Sequence, residues 1–372
     1  LLGAAVALVA LGIIMVHSAS VAFAARATGN GAHFLMRHAI YVTLGLLCLT
    51  VVLRVRIRVW ELAGPLLLLV GLGLLVAVLI PGIGVQANGS TRWLRLGIAT
   101  LQPSELMKLF MVVYVAGYLV RKQDALHSFT QGIVMVSIVV AITGTLLLLE
   151  PDLGTVVVIT LTVLAMLFLG GVRFWHFFLV LAAGLGGMAL LTVISPYRMN
   201  RVTSFLDPWA DPFNRGFQLV QALIAVGRGE WTGVGLGASV QKLSYLPAAH
   251  TDFIFAVLAE ELGFLGVLAL LALYGVLIVR AFFIARQAEA SGQVYGARLA
   301  QGLGLLLGLQ AMINAGVNMG LLPTKGLTLP LVSYGGSSMV VCCTALGLLL
   351  RIEREARRGA TSRRAEQRTV LA

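Results

Sequence analysis

The sequence predicts an all-α integral membrane protein of about ten transmembrane helices, with a large extracytoplasmic loop between helices seven and eight. Three observations carry that prediction. Hydrophobic residues make up 59% of the 372 and charged residues only 11%, against about 25% charged in an ordinary soluble domain. Too little charge is available to build a water-facing surface. The apolar residues gather into runs close to the roughly 20 residues that cross about 30 Å of hydrocarbon. The 42 glycines follow no collagen-like period and suit close approach of helices in a bilayer. A net charge of +12 would point a soluble chain toward nucleic acid; here it asks which side of a membrane the charge occupies. Cys48, Cys342 and Cys343 all lie in apolar runs, where they read as packing residues rather than a disulfide framework or metal cluster.

The predicted spans fall near residues 1–18, 39–53, 62–80, 104–120, 131–149, 153–171, 175–195, 253–280, 298–319 and 329–350. The first is too long, and too poorly followed by a cleavage site, for a signal peptide. Its opening on apolar Leu1 gives the expectation that a cytoplasmic segment precedes it. The second is short, and the eighth is long enough to tilt or project from the bilayer. No internal repeat is evident, which weighs against an inverted-repeat transporter. Sixteen of the 27 cations fall in the loops and tail of one side. By the positive-inside rule that side is cytoplasmic and holds both termini. Residues 1–350 thus form one polytopic domain that includes extracytoplasmic loop 196–252. Residues 351–372 form a basic cytoplasmic tail, expected to be disordered and drawn to anionic lipid by about 1 kcal/mol per basic residue.

Five constellations carry candidate chemistry. Gly89 to Leu94 precedes Gln102-Pro103-Ser104-Glu105, where Ser104 reads as a possible N-cap and Glu105 and Lys108 share a helix face at i,i+3. Charges inside a membrane are costly and need a partner or a water-filled cavity, so a structural ion pair and a substrate-facing role stand about level. Glu150-Pro151-Asp152-Leu153-Gly154 reads as a turn in which Asp152 could cap the next helix or join Glu150 in holding a divalent cation, capping being the more common arrangement. In the long loop, Arg198 and Arg201 at i,i+3 can present two guanidinium groups to phosphate oxygens, or pair with Asp207 or Asp211. Its Gly-rich stretch from Gly227 to Gly237 lacks the ending of a nucleotide-binding loop. Asp252, in His250-Thr251-Asp252-Phe253, stands where that loop meets the apolar start of the eighth span. This position suits a general base acting on a hydroxyl, and equally an N-cap. Of Glu260 and Glu261, deeper in the same span, at least one must be paired or solvated. The run Leu322 to Ser338, with two prolines, three glycines, several hydroxyls and Lys325, predicts a broken or re-entrant start to the last span.

Taken in order, Arg92-Trp93, Gln102-Pro103-Ser104-Glu105, Pro151-Asp152-Leu153-Gly154, His250 to Phe255, Glu260-Glu261-Leu262-Gly263 and Ser333-Tyr334-Gly335-Gly336-Ser337 resemble the SEDS family (shape, elongation, division and sporulation) of peptidoglycan glycosyltransferases. The resemblance runs from about residue 10 to residue 350, and Leu322 to Pro330 is most similar to the division-type (FtsW-like) branch. It implies a ten-helix fold and polymerisation of lipid II into β-1,4-linked glycan strands at the outer face of the cytoplasmic membrane, during septal cell-wall synthesis. It implies Asp252 as the essential carboxylate. As substrate-binding residues the reading adds Arg198, Arg201, Lys108, Lys325, Glu105, His250 and Ser333. No cofactor is firmly expected, although a divalent cation, Mg²⁺ or Mn²⁺, would suit a diphosphate leaving group. The partners implied are a class B penicillin-binding protein acting as septal transpeptidase and the FtsQ-FtsL-FtsB regulatory complex. The chain departs from many members at Ala248, where they carry Glu. From a different class, a lipid II flippase or transporter also fits ten helices with intramembrane charges. The gathering of polar groups on one face counts against it.

Overall fold

The computed structural model describes residues 1–371 except 88–89, 97–98, 127, 196–198, 200–202, 215, 244–245 and 325. Its spans are α1 (Leu2–Thr28), α2 (His33–Val52), α3 (Ile57–Leu79), α4 (Pro103–Arg121), α5 (Met135–Leu149), α6 (Leu153–Leu169) and α7 (Phe174–Ile194). The amphipathic helix α8 (Phe217–Arg228) follows in the long loop, and α9 (Ile254–Ala290), α10 (Val294–Asn318) and α11 (Gly336–Leu371) complete the bundle. Eight of these are long and apolar enough to cross a membrane. With the 17-residue α6 and the 21-residue α7, they match the ten predicted spans. The protein is an all-α multi-pass membrane protein with one small addition. Strands β1 (Gly84–Ala87), β2 (Ser90–Leu96) and β3 (Ala99–Leu101) form an antiparallel sheet in the order β1-β2-β3. An Asn-Gly dipeptide between two short runs is a strong hairpin signal, and a reading by 20-residue windows passes over it.

The bundle has an inside and an outside. Over their most apolar windows α4, α10 and α11 are 78% buried, whereas α1, α2, α3, α5 and α9 are only 22–33% buried. The outer helices can be almost wholly apolar because their exposed faces meet lipid. The inner ones carry Glu105, Lys108, Gln310, Asn314, Asn318, Ser337 and Ser338, all buried and affordable only because each can bond to a neighbour.

Two irregular segments enter this bundle. After α10, residues 327–335 run without helix among buried neighbours, and a Cβ at Gly12, in the middle of α1, would lie 2.8 Å from the Leu331 carbonyl and the Val332 Cα. This is the re-entrant start predicted for the last span, which becomes helical only at Gly336. The second segment is 229–242, which fills a break in α9 at Gly263 (φ 66, ψ −167). The carbonyls of Glu260 and Glu261, freed by the break, accept from the N–H groups of Val234 and Gly235 at 3.0 and 3.1 Å. The Phe264 and Leu265 N–H groups donate to the carbonyls of Glu230 and Trp231 at 2.9 and 3.1 Å. Four backbone groups at the break are thus satisfied, as a lipid environment demands.

The helix of α11 runs on into the basic tail, to Leu371. Arg351 pairs with Glu355 at 2.7 Å and Arg357 with Glu353 at 2.6 Å, both at i,i+4. Arg351 also donates to the Leu53 carbonyl at 2.9 Å, and Ile352 and Ala356 are buried. The first turns of the tail therefore dock on the α2–α3 turn, an arrangement that net charge alone does not reveal.

Candidate active site

The N-terminal turns of α4, α6 and α11 and the residues just before α9 converge at the end of the bundle that carries the long loop. They enclose a polar cavity of about 230 Å³ lined by Ser90, Arg92, Trp93, Gln102, Glu105, Thr155, Ala248, Thr251, Asp252, Gly326, Thr328, Tyr334, Gly335, Ser337 and Ser338. Ligand pockets generally hold about 300–1,000 Å³. This volume accommodates a phosphate-sized group more readily than a disaccharide.

Asp252 lines the cavity on a backbone fixed from three sides. Its carbonyl accepts from Asn314 Nδ2 at 3.0 Å and Asn318 Nδ2 at 3.1 Å, both from α10. The preceding carbonyl, of Thr251, accepts from Ser333 Oγ at 2.6 Å, and the His250 carbonyl accepts from the Tyr334 N–H at 3.0 Å. Asp252 is not the cap of α9: Phe253 occupies the N-cap position, without a side-chain cap. Gly326 passes close to the carboxylate, where a Cβ would lie 3.1 Å from Oδ2. Any side chain there would crowd that oxygen.

Glu105 and Lys108 form the predicted ion pair at 2.8 Å. The Lys108 ammonium, 1% exposed, also donates to Gln310 Oε1 at 2.7 Å. Gln310 in turn donates to the Thr328 carbonyl at 2.9 Å. Glu105 lines the cavity, and Lys108 lies behind it, bonded to Glu105 and Gln310. Ser104 is not an N-cap either; the cap position is Gln102, whose Nε2 donates to Ser104 Oγ at 3.1 Å. Asp152 does cap α6, accepting from the Thr155 N–H at 3.2 Å and Thr155 Oγ1 at 2.8 Å.

Two other predicted contact residues have structural surroundings. Ser333 is 3% exposed; its Oγ accepts from the Leu329 N–H at 2.8 Å while donating to Thr251, and it lies outside the cavity lining. It clamps the re-entrant segment to the Asp252 loop. His250 also lies outside the lining, in an aromatic cluster with Phe34, Tyr334 and Phe23 at centroid distances of 4.7, 5.6 and 5.9 Å. Burial there pushes the imidazole down to about 4, so it is neutral near pH 7. Arg198, Arg201 and Lys325 lie outside the described residues.

Both deep glutamates are paired. Glu261 accepts from Lys242 Nζ at 2.7 Å and Ser18 Oγ at 2.7 Å. Glu260 accepts from Arg228 at 3.3 Å, the Val240 N–H at 3.2 Å and Ser239 Oγ. Together they tie segment 229–242 into the break of α9. Among the described residues no three His, Cys, Asp or Glu side chains gather to hold a metal ion.

Sequence reasoning passes over Arg92 as a site residue. From β2 it reaches across to the α5–α6 turn, where Nε donates to the Glu150 carbonyl at 2.9 Å and Nη2 to the Pro151 carbonyl at 2.6 Å. The Glu150 side chain beneath is fully buried, and among the described residues neither carboxyl oxygen has a hydrogen-bond partner. Burial, then the neighbouring Asp152 carboxylate, push Glu150 up to about 8, against the opposing pull of Arg92.

This arrangement has relatives. The family model described as cell cycle protein, covering FtsW, RodA and SpoVE, matches residues 1–358. The chain is 58% identical to a probable peptidoglycan glycosyltransferase FtsW of Nitrosococcus halophilus, over 98% of this chain and 94% of that one. It is 54% identical to the protein of the same name from Thioalkalivibrio sulfidiphilus, over 94% and 87%. Among solved structures it superposes with a TM-score of 0.76 and 32% identity on a chain of a peptidoglycan synthase complex described as coordinating polymerization and crosslinking, covering 95% and 97% of the two chains. The crystal structure of the rod shape determining protein RodA of Thermus thermophilus matches with a TM-score of 0.69 and 29% identity, over 95% and 96%. With the family model matched over residues 1–358, which include every residue lining the cavity, the chain belongs to the FtsW/RodA/SpoVE family of cell cycle proteins.

Proposed function

We propose that this chain is a division-type peptidoglycan glycosyltransferase that polymerises lipid II into β-1,4-linked glycan strands, with Asp252 as general base. The observation that carries the reading is Asp252 itself: a carboxylate lining a polar cavity at one end of an apolar bundle, on a backbone held by Asn314, Asn318 and Ser333. Relatives more than half identical over nearly the whole chain are named as such glycosyltransferases. In this reading Asp252 takes the proton of the acceptor GlcNAc 4-hydroxyl as that oxygen bonds to the anomeric carbon of the donor MurNAc. The bond from that carbon to the diphosphate oxygen breaks, and polyprenyl diphosphate leaves with the electron pair. Attack opposite the leaving group inverts the α-linked donor to a β link. General base catalysis contributes typically 10²–10⁴-fold.

The cavity then faces outward, both termini are cytoplasmic, and the enzyme works at the division septum. Its product needs crosslinking, which supports a class B penicillin-binding protein as partner, with the FtsQ-FtsL-FtsB complex as regulator. A Mg²⁺ or Mn²⁺ ion would be held by Asp252 together with diphosphate oxygens of the substrate, the pattern usual for Mg²⁺. The test is lipid II polymerisation by the purified protein in detergent, with and without the transpeptidase and with and without EDTA. Glycan polymer is the expected product. Intact lipid II in every arm would favour a flippase instead.

A further inference from the structure

Gln310, Asn314 and Asn318 recur at every fourth residue of α10 and so share one face of that helix. All three are buried. A carboxamide in an apolar bundle is costly unless its donors are met, and here they go mainly to backbone carbonyls outside the helices. Gln310 donates to the Thr328 carbonyl at 2.9 Å. Asn318 Nδ2 donates to the Asp252 carbonyl at 3.1 Å, while its Oδ1 accepts from the Ala256 N–H at 3.3 Å in the first turn of α9. Asn314 differs from both, because its one amino group reaches two segments. It donates to the Asp252 carbonyl at 3.0 Å and to the Leu327 carbonyl at 2.6 Å, which uses both hydrogens that the group has.

Those two carbonyls flank a close approach. Leu327 follows Gly326, the position where a Cβ would lie 3.1 Å from Asp252 Oδ2. The carboxylate and the re-entrant backbone are thus placed side by side through one amide on a third element. Ser333 and Tyr334 also join the two segments, but through the carbonyls of Thr251 and His250, ahead of the aspartate. Asn314 acts on residue 252 itself.

We propose that Asn314 is a positioning residue for the reaction: by bridging residues 252 and 327 it sets where the Asp252 carboxylate stands relative to the re-entrant wall of the cavity. The reaction it serves is the glycosyl transfer proposed above; the bridge itself stands without that reading. A general base must come within about 2.6–3.2 Å of the group it deprotonates. A misplacement of about 1 Å, caused by a residue away from the chemistry, can lower the rate by about 10²-fold. Loss of the bridge therefore acts on turnover rather than on substrate binding.

The experiment compares lipid II polymerisation by the full chain with its transpeptidase partner in wild type, Asn314→Leu and Arg351→Leu. Leu keeps the branched shape of Asn without its donors. Arg351→Leu removes the hydrogen bond to the Leu53 carbonyl at the opposite end of the bundle and serves as the control for lost stability alone. Asn314→Leu is expected to lower kcat by roughly 10- to 100-fold with KM within about twofold of wild type, and the control to keep its kcat. Asn314→Asp, which retains the size and at most one donor, serves if the Leu variant fails to fold; its kcat should fall in the same direction. Hydrogen exchange is the second readout. Asn314→Leu should speed exchange at Phe253 and Leu329 together, one amide in each bridged segment, whereas Asn318→Leu should act at Phe253 and Ala256 and spare Leu329. Wild-type kcat in folded Asn314→Leu, an equal loss in Arg351→Leu, or a rise in KM alone would overturn the positioning role. Unchanged exchange at both segments would overturn the bridge. Coupled exchange in a protein whose wild type makes no glycan would overturn the glycosyltransferase reading and leave the bridge standing.

Discussion

Lys108 is 1% exposed and its ammonium has two partners, Glu105 and Gln310. Breaking a buried pair by removing one member leaves an uncompensated charge, at a cost of about 3–5 kcal/mol. Lys108→Met should therefore lower the thermal midpoint strongly, and Glu105→Gln added to it should recover much of the loss. A double-mutant cycle by thermal unfolding in detergent checks this. Two loop residues make stability depend on pH with opposite signs. His250 is held near 4 against an ordinary 6.5, so below pH 6.5 the unfolded chain takes up a proton that the folded chain refuses. Its contribution is complete above about 6.5 and is lost as pH falls toward 4; His250→Phe should remove that loss. Glu150 is raised to about 8 from an ordinary 4.5, so its contribution is complete below about 4.5 and is lost as pH rises toward 8. Glu150→Gln should flatten the upper limb of the profile. Thermal midpoints from pH 4 to 9 separate the two. At this scale the sequence discloses what is local: the Glu105–Lys108 pair and the Asp152 cap lie three residues from their partners. Arg92 and the Glu150 carbonyl are 58 residues apart, and no spacing rule links them.

The break in α9 depends on an element far along the chain. Gly263 adopts φ 66, and a Cβ there would come 2.3 Å from the Gly233 nitrogen. Gly263→Ala is expected to push segment 229–242 out of the break and expose the four backbone groups it satisfies. The measurement is hydrogen exchange, with faster exchange expected at Val234, Gly235, Phe264 and Leu265 than in wild type; unchanged protection would show that the segment does not depend on this glycine. Lys242→Met, by leaving Glu261 without its cation, should loosen the same segment. The predicted span over 253–280 comes from apolar content, which a single glycine in a helix does not interrupt. The glycines of 227–237 are unusual in the sequence, but their partner in the break is visible only in three dimensions. Likewise the ten spans follow from run length, whereas the three-stranded sheet falls below the length of the window that finds them.

At the scale of the whole molecule, composition and the run of cations are enough to predict a ten-helix bundle and its sidedness. They do not say which helices are central. That distinction lies in the polar residues of α4, α10 and α11, which bond to one another and to the re-entrant segment rather than to solvent. Sidedness is directly measurable. On a cysteine-free background, Trp209→Cys in the long loop should react with an impermeant thiol reagent from outside intact cells, and Ser362→Cys in the tail only after permeabilisation. The reverse pattern would overturn the proposed orientation.

The central claim is that Asp252 is the base of a glycan polymerase. It is tested most directly by incubating lipid II with the purified protein and its transpeptidase partner, wild type beside Asp252→Ala, and resolving the products by length. Because the clamp on residue 252 acts through its backbone carbonyl, the alanine variant should keep the wild-type thermal midpoint to within a few degrees. The account predicts long glycan strands from wild type and none from that folded variant. Long strands from Asp252→Ala at the wild-type rate would contradict it.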